Sequence, residues 1–398
     1  MSGAIEITVP GSKSLTQRAL IQAALARGRS VIINPCLCDD AFLLRDALLR
    51  MDVEIRQKPG KWEVISSGRL RPPQREIGLG NAGTAVRFLA SLSALVDGTL
   101  VLDGNEAMRQ RPQAELLDML RTLGVRVECL QADEHLPVVL TGPADMVTGP
   151  VILTADHSSQ HVSGLLMVAP LLASGGGLRV EVSGKAVSLP YINMTLSIMN
   201  FFGVSVERDG GLKFSIPRQA YAPAVFEIEG DASSAAMILA AGKLAGKKVV
   251  IKNFPTSDLQ GDAVFPGVLE KLSGPGEVAI NMTGTPDIVP PAVALALFRD
   301  SLTVLSGIAH LKGKESNRIG VLISELAKIG GFLQEDGDSL LVFPSQVEGE
   351  AELDPHGDHR MAMTFGLVGL RCAGVRVKDP GCVSKSYANF FDVLGKFR

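Results

Sequence analysis

Six times along the chain a helical stretch rich in Ala and Leu opens on polar residues and closes on a Gly or Asp before a short β-type run. The stretches begin near Ser12 (SKSLTQRALIQAALARGRSVII), Asn81 (NAGTAVRFLASLSALVDGTLVL), Ser158 (SSQHVSGLLMVAPLL), Asp231 (DASSAAMILAAGKL), Asp287 (DIVPPAVALALF) and Asp358 (DHRMAMTFGLVGL), 56 to 77 residues apart. Between them a second helical pattern ends at a break: Asp52, Gly124, Gly203, Gly274, Gly330 and Gly395. Such breaks suit a left-handed C-cap, and the alternating residues that follow suit a strand. Each unit therefore reads as helix, strand, helix, strand with hairpin-like joins. The first helix of each unit is apolar nearly all round, residues 235–241 being the plainest case, which predicts burial on most sides.

Repeats of this length exceed the usual solenoid period, and no copy looks like a cap, so two closed α/β (α+β) domains of three units each are expected. A chain of 398 residues is also past the size at which one core stops growing. The boundaries predicted are 12–229 for one domain and 1–11 plus 230–398 for a discontinuous second. In that division the first strand, residues 4–9, closes the C-terminal set. The chain then crosses between domains twice, which implies a hinge, with the active site expected in the interdomain cleft.

Composition narrows the class. Hydrophobic residues at 46% and charged residues at 20% exclude a disordered chain, and aromatics at 5% require aliphatic cores. A net charge of -3 gives no general field for nucleic acid, so any anion site must be local. Cys36, Cys38, Cys129, Cys372 and Cys382 form an odd, sparse set that reads as reduced thiols. The start of the chain lacks a basic, then apolar leader, and the apolar stretch 165–173 ends at Ser-Gly-Gly-Gly, too short to span a bilayer. A cytoplasmic protein without a membrane partner is expected.

The informative feature is the placement of cations. A helix N-terminus is an anion site, so a cation there is unfavourable by about 0.3 to 1 kcal/mol. Yet Lys13 and Arg18 open the first helix, Arg111 precedes Pro112 at an expected first helical position, Lys314 and Arg318 start KESNRIGVLISEL, Arg360 follows Asp358, and Lys385 opens the last helix. Any one of them reads as a solvated surface side chain. Seven in a repeating array point to a polyanionic ligand. Ser14, Asn81, Gly83, Thr84, Ser158, Ser159, Gln160 and Ser188 stand at the same starts; each is individually a plain N-cap, and together they offer neutral donors for phosphate or hydroxyl groups.

Other motifs carry less. GLGNAG at 78–83, with Asp103 twenty residues on, fits a dinucleotide fingerprint, but RPPQREI ahead of it predicts no buried strand. GSKS at 11–14 lacks the Walker spacing. His356-x-x-His359 with Asp354 and Asp358 has no further Cys or His support for a metal site, and no G-x-S-x-G elbow occurs. For acid-base work the candidates are Asp287 and Glu315, each beside a break and near cations; each also reads as a helix N-terminal acid.

The motifs GSKSLTQRAL, LGNAGTAVRFL, RPQAEL, SSQHVSGLLM, SLPYI, GDASSAA, KESNR, DHRMAM and DPGCVSKS, in that order from residue 11 to residue 386, resemble the signatures of the 5-enolpyruvylshikimate-3-phosphate synthase family. The resemblance implies a two-domain inside-out α/β barrel, each domain three βαβαββ units around buried helices, closing on its substrates. It implies that Lys13, Gly83, Arg111, Gln160, Arg318, Arg360 and Lys385 bind phosphoenolpyruvate. Lys13, Ser14, Arg18, Ser158, Ser159, Gln160, Ser188, Asp287 and Lys314 would hold shikimate 3-phosphate. Asp287 would accept the proton of the 5-hydroxyl, and Glu315, with Lys13 nearby, would give and then remove the proton on the methylene carbon.

The implied product forms through a tetrahedral intermediate that loses phosphate, on the way to aromatic amino acids. The substrates bring roughly five negative charges, which the cations would neutralise. The resemblance implies no metal, no cofactor, no nucleic-acid partner and a monomer. The sequence departs from the family at Phe88, where Pro is common, and at His310 and Lys312, where Asn and Arg are common. Three alternatives compete. An enolpyruvyl transferase acting on UDP-N-acetylglucosamine would have a loop cysteine that residues 109–112 lack. A non-catalytic binding homologue would have lost Asp287 or Glu315. A dinucleotide oxidoreductase would rest on GLGNAG alone.

Overall fold

Ser12, Asp231 and Asp358 each turn a side-chain oxygen back onto the start of the helix that follows, accepting from the backbone N–H of Leu15, Ser234 and Arg360. These caps fix where three of the six apolar helices begin. The six are Lys13–Leu25, Gly83–Leu92, Gln160–Leu172, Ala232–Leu244, Val289–Ala296 and His359–Val368. Their all-round apolar surface is buried as predicted: Lys13–Leu25 is covered from Leu15 to Leu25, and in Ala232–Leu244 only Leu239 and Lys243 escape full burial. The computed structural model describes residues 4–144, 149–156, 158–173, 177–184 and 187–398. The glycine-rich end expected for the apolar stretch 165–173 falls largely at 174–176, outside the described residues.

The contacts divide the chain into Gly11–Ile228 and Met1–Pro10 with Glu229–Arg398. Among the described residues of Gly11–Ile228 there are three four-stranded sheets. The first orders Val225–Glu227, Gly28–Ile33, Lys61–Ser66 and Glu54–Lys58; the second Ile77–Gly78, Gly98–Asp103, Val138–Gly142 and Arg126–Cys129; the third Pro150–Thr154, Leu178–Ser183, Lys213–Ile216 and Glu207–Arg208. In each the first pair is parallel and the other two antiparallel, the pattern of a strand, a crossover helix and a returning hairpin. The strand before Lys13–Leu25 comes from the far end of the unit: Phe226 pairs with Ile32. Two of the buried helices approach closely at Gly164, where a Cβ would lie 2.2 Å from Ser91 Oγ.

The other unit repeats the closure. Ile5–Ile7 pairs parallel with Val249–Ile251, and Ile7 and Val9 join the core around Ala232–Leu244. Its helices Ala232–Leu244, Val289–Ala296 and His359–Val368 all pack on one another. Here the expected sixfold regularity fails. Val278–Asn281, Thr303–Ser306, Ser339–Phe343 and Phe332–Asp336 form one complete four-stranded sheet, but Ile5–Ile7 with Val249–Ile251 and Glu350–Leu353 with Gly374–Val377 form sheets of two. The fourth unit is the shortest interval in the sequence, and after its helix Phe265–Ser273 the chain passes directly into Val278–Asn281, with no residues left for a hairpin.

The predicted left-handed breaks occur at Asp52, Gly124, Gly203 and Gly330, with φ of 70°, 86°, 83° and 83°. Two do not. Gly274 is extended at φ -77°, ψ 163°, and Gly395 continues helically into the 3-10 turn Gly395–Phe397. The strand expected to be missing before GLGNAG is present but minimal: Ile77–Gly78 pairs for two residues with Leu102 and Asp103. The prolines at 72 and 73 have no N–H to extend it. Among the described residues no helix is long and apolar enough to cross a membrane.

Candidate active site

Each unit gathers its own set of the expected residues at the polar starts of its buried helices. In Gly11–Ile228, Lys13 is the first helical residue and its Nζ lies 2.9 Å from the buried carboxylate of Asp40. Ser14 follows. Arg18, one turn on, is 1% exposed. Its guanidinium donates to Thr195 Oγ1 (2.7 Å), the Ser14 carbonyl (3.0 Å), the Tyr191 carbonyl (3.3 Å) and Ser163 Oγ (3.4 Å), and sits 5.2 Å from the Phe88 ring centroid. These partners are neutral. Burial lowers its pKa to about 10, against a raising influence from Tyr191, so it stays charged at neutral pH. A buried cation held by neutral groups gains from an incoming anion.

Gly83 and Arg111 meet here because residue 83 has no side chain. A Cβ there would stand 2.7 Å from Arg87 Nη1 and 2.8 Å from Arg111 Nη1. Arg111 is 9% exposed, its Nη1 reaches only Met108 Sδ at 3.8 Å, and its Nε has no partner. It does not precede a helix directly. Ala114–Thr122 starts three residues on, with Gln113 as its N-cap, so Pro112 is not the first helical residue.

Gln160 opens the next helix; its amide donates to Thr84 Oγ1 at 3.0 Å and accepts from Arg87 Nη1 at 3.1 Å, and its backbone N–H donates to Ser158 Oγ at 3.2 Å. Ser159 beside it is buried. Ser188 adopts φ 57° ahead of Leu189–Phe201, the helix that supplies the Tyr191 and Thr195 contacts to Arg18, and its buried hydroxyl has no partner. Arg87 is a buried cation that the sequence reading passed over. A lone Arg inside an apolar helical run four residues after Gly83 is the signal that could have found it.

The second cluster, in Glu229–Arg398, centres on Arg318. Its guanidinium, 1% exposed, donates to Asp358 Oδ2 (2.8 Å), Asp287 Oδ1 (2.9 Å) and Glu315 Oε2 (2.8 Å). Arg360 Nη2 reaches the other oxygen of Asp287 at 3.0 Å, while its buried Nε and Nη1 have no partner. Lys385 Nζ is 3.9 Å from Glu315 Oε1. Burial would raise the pKa of Asp287, but Arg360, Arg318 and Lys314 outweigh it and hold the carboxyl well below the usual range.

Behind it Asp262, fully buried, accepts from Ser233 Oγ at 2.5 Å and leaves Oδ1 unpartnered. Burial, then the charge of Asp287, raises it to about 7. Two placements differ from expectation. Arg318 opens its helix, with Asn317 as cap, but Lys314 only follows the 3-10 turn Ala309–Gly313. Lys385 ends the 3-10 turn Pro380–Lys385, five residues before the helix Phe390–Leu394, because Pro380 starts a tighter turn than an α-helix.

The remaining motifs resolve differently. Asp103 pairs with Arg109 and accepts from Gly104 N–H, which occupies the acid a nucleotide ribose would need. His356 faces Glu325 at 3.7 Å and His359 is buried beside Asp358. Among the described residues no group of three His, Cys, Asp or Glu is placed to hold a metal. His310 is buried, its pKa lowered to about 4 by burial and then by Lys314, and Lys312 pairs with Glu335.

Residues 2–394 match the family model of EPSP synthase (3-phosphoshikimate 1-carboxyvinyltransferase). Among curated relatives, the 3-phosphoshikimate 1-carboxyvinyltransferase of Bordetella pertussis is 37% identical over 98% of this chain and 94% of its own. That of Syntrophobacter fumaroxidans is 36% identical over 99% and 97%, and the chloroplastic enzyme 1 of Nicotiana tabacum 34% over 100% and 83%. The fold is similar to EPSP synthase from Acinetobacter baumannii, with a TM-score of 0.78 at 22% identity over 99% of this chain and 96% of that one. With the model matched over nearly every residue and relatives above 30% identity covered almost end to end, the chain belongs to the EPSP synthase (3-phosphoshikimate 1-carboxyvinyltransferase) family.

Proposed function

We infer that the chain transfers the enolpyruvyl group of phosphoenolpyruvate to the 5-hydroxyl of shikimate 3-phosphate, releasing phosphate, as a step of aromatic amino acid biosynthesis. The observation that carries the assignment of roles is the convergence of Asp287 and Glu315 on the one guanidinium of Arg318, with Arg360 and Lys385 alongside. The chemistry needs a group to take the hydroxyl proton and another to move a proton to and from carbon, both within reach of cations that stabilise phosphate. Asp287 takes the first role, and Glu315, assisted by Lys13, the second.

A carboxylate held as low as Asp287 is a weak base. Polyanionic substrates compete for Arg318, Arg360 and Lys314, loosening their hold and returning proton affinity to Asp287 at the moment it is needed. Arg318, Arg360 and Lys385, with Lys13, Gly83, Arg111 and Gln160, bind phosphoenolpyruvate in this reading. Lys13, Ser14, Arg18, Ser158, Ser159, Gln160, Ser188, Asp287 and Lys314 bind shikimate 3-phosphate. The reading includes a monomer at work in the cytoplasm.

The test is phosphate release from phosphoenolpyruvate with shikimate 3-phosphate, against UDP-N-acetylglucosamine as acceptor. Turnover with the first acceptor alone is expected. Arg111→Ala and Asp287→Asn should each cost about 2 to 4 kcal/mol in kcat/KM, the loss seen for a preorganised charge partner. Full activity in either variant removes that residue from the assignment.

A further inference from the structure

His161, the second residue of the helix Gln160–Leu172, is 1% exposed, and burying an imidazole inside an aliphatic bundle is unfavourable unless its nitrogens are answered. One is. Nε2 lies 2.7 Å from the carbonyl of Thr154, the last residue of the strand Pro150–Thr154; a carbonyl only accepts, so Nε2 carries the proton. Nδ1, unprotonated in that tautomer, makes no hydrogen bond to Glu115 Oε2 at 3.7 Å; Glu115 joins the cluster through Thr154, its other oxygen accepting from Thr154 Oγ1 at 3.4 Å. Glu115 lies in the first turn of Ala114–Thr122, four residues after Arg111. Arg87, on the facing helix Gly83–Leu92, is a further charged neighbour among the described residues; burial, opposed by Glu115 and reinforced by Arg87, lowers the pKa of His161.

Three segments are therefore tied at one point: the one carrying Arg111, the end of a strand, and the helix start carrying Ser158, Ser159 and Gln160. We propose that His161 and Glu115 are positioning residues that set the spacing between Arg111 and the Ser158–Ser159–Gln160 turn. Neither touches substrate. The inference rests on the enolpyruvyl-transfer reading, since the groups they position are its proposed substrate contacts.

The experiment measures kcat, KM for both substrates and urea stability for the wild type, His161→Leu, His161→Gln, Glu115→Ala and the double variant His161→Leu/Glu115→Ala. Loss of either partner should raise both KM values about tenfold, while kcat changes by less than about threefold, because the buried tie is lost but the reacting groups remain. The double variant should be no worse than the worse single, as two halves of one tie. His161→Gln, whose amide N–H matches the position of Nε2 and can still reach the Thr154 carbonyl, should recover most of the loss. Unchanged KM in both single variants, additive effects, or a loss of stability with KM intact would each overturn the proposal. Should His161→Leu fail to fold, the Glu115→Ala result against His161→Gln decides in the same terms. A wild type that releases no phosphate from the two substrates sinks the functional reading itself, and this inference with it; an active wild type with indifferent variants sinks only the inference.

Discussion

At the scale of single residues, Asp262 carries an unusual electrostatic load. Its carboxyl rises from an ordinary 3.8 to about 7, burial being the main cause and the negative charge of Asp287 the next. A raised acid is the reverse of the common case. Folding favours its protonated form, so no penalty exists below 3.8; the penalty grows as pH rises and is complete above about 7. Asp262→Asn, which still accepts from Ser233, should therefore raise Tm more at pH 8 than at pH 5. An equal shift at both pH values would show that ionised Asp262 is no burden.

Gly83 makes a different prediction. The atoms a Cβ would meet are the tips of two guanidiniums, which can move, so Gly83→Ala should change stability by less than about 1 kcal/mol. Displacing Arg87 and Arg111 by even part of an ångström should nevertheless raise KM for phosphoenolpyruvate by about tenfold or more. Steady-state kinetics beside a urea titration separates the two effects. Several such residues were legible beforehand: Lys13, Arg18, Arg318 and Arg360 stood out as cations at apolar helix starts. Asp40, Arg87, Asp262 and His161 did not, because a buried charge is recognised by its partners, and those lie 27 residues away for Asp40 and 73 for Arg87.

At the scale of elements, the packing of Gly83–Leu92 against Gln160–Leu172 sets how near Arg87 comes to Gln160. Gly164→Ala would bring a Cβ to 2.2 Å from Ser91 Oγ and 3.1 Å from Ser91 Cβ. Ala gains roughly 1 kcal/mol in helix propensity over Gly, while overpacking costs about 1 to 3 kcal/mol, so net destabilisation is expected. A variant as stable as the wild type in urea would show that the helices separate freely. The apolar helices themselves were plain in the sequence, since burial on all sides leaves a run that needs no partner to identify. The hairpins were not: whether one follows a helix depends on spare chain, and the fourth unit has none.

At the scale of the molecule, a net charge of -3 coexists with cations withdrawn into the interior of both units. Arg18 donates to neutral groups, Arg111 lies beside Arg87, and part of Arg360 is unpartnered. Substrates that answer those charges should stabilise the fold through linkage. At a hundred times its dissociation constant, shikimate 3-phosphate should add about 2.7 kcal/mol, seen as a rise in Tm of several degrees. Inorganic phosphate at the same concentration should give much less, and an unchanged Tm with shikimate 3-phosphate would remove it from the assigned site.

The sequence alone determined the six buried helices, their polar starts and the family signatures, because periodicity, caps and motifs are encoded within a few residues of one another. Only the tertiary structure decided which carboxylate answers which cation: Arg318 finds Asp287 across 31 residues and Asp358 across 40, and Arg18 finds Thr195 across 177. Pairing at that distance is set by how sheets close and helices pack, and no local pattern records it.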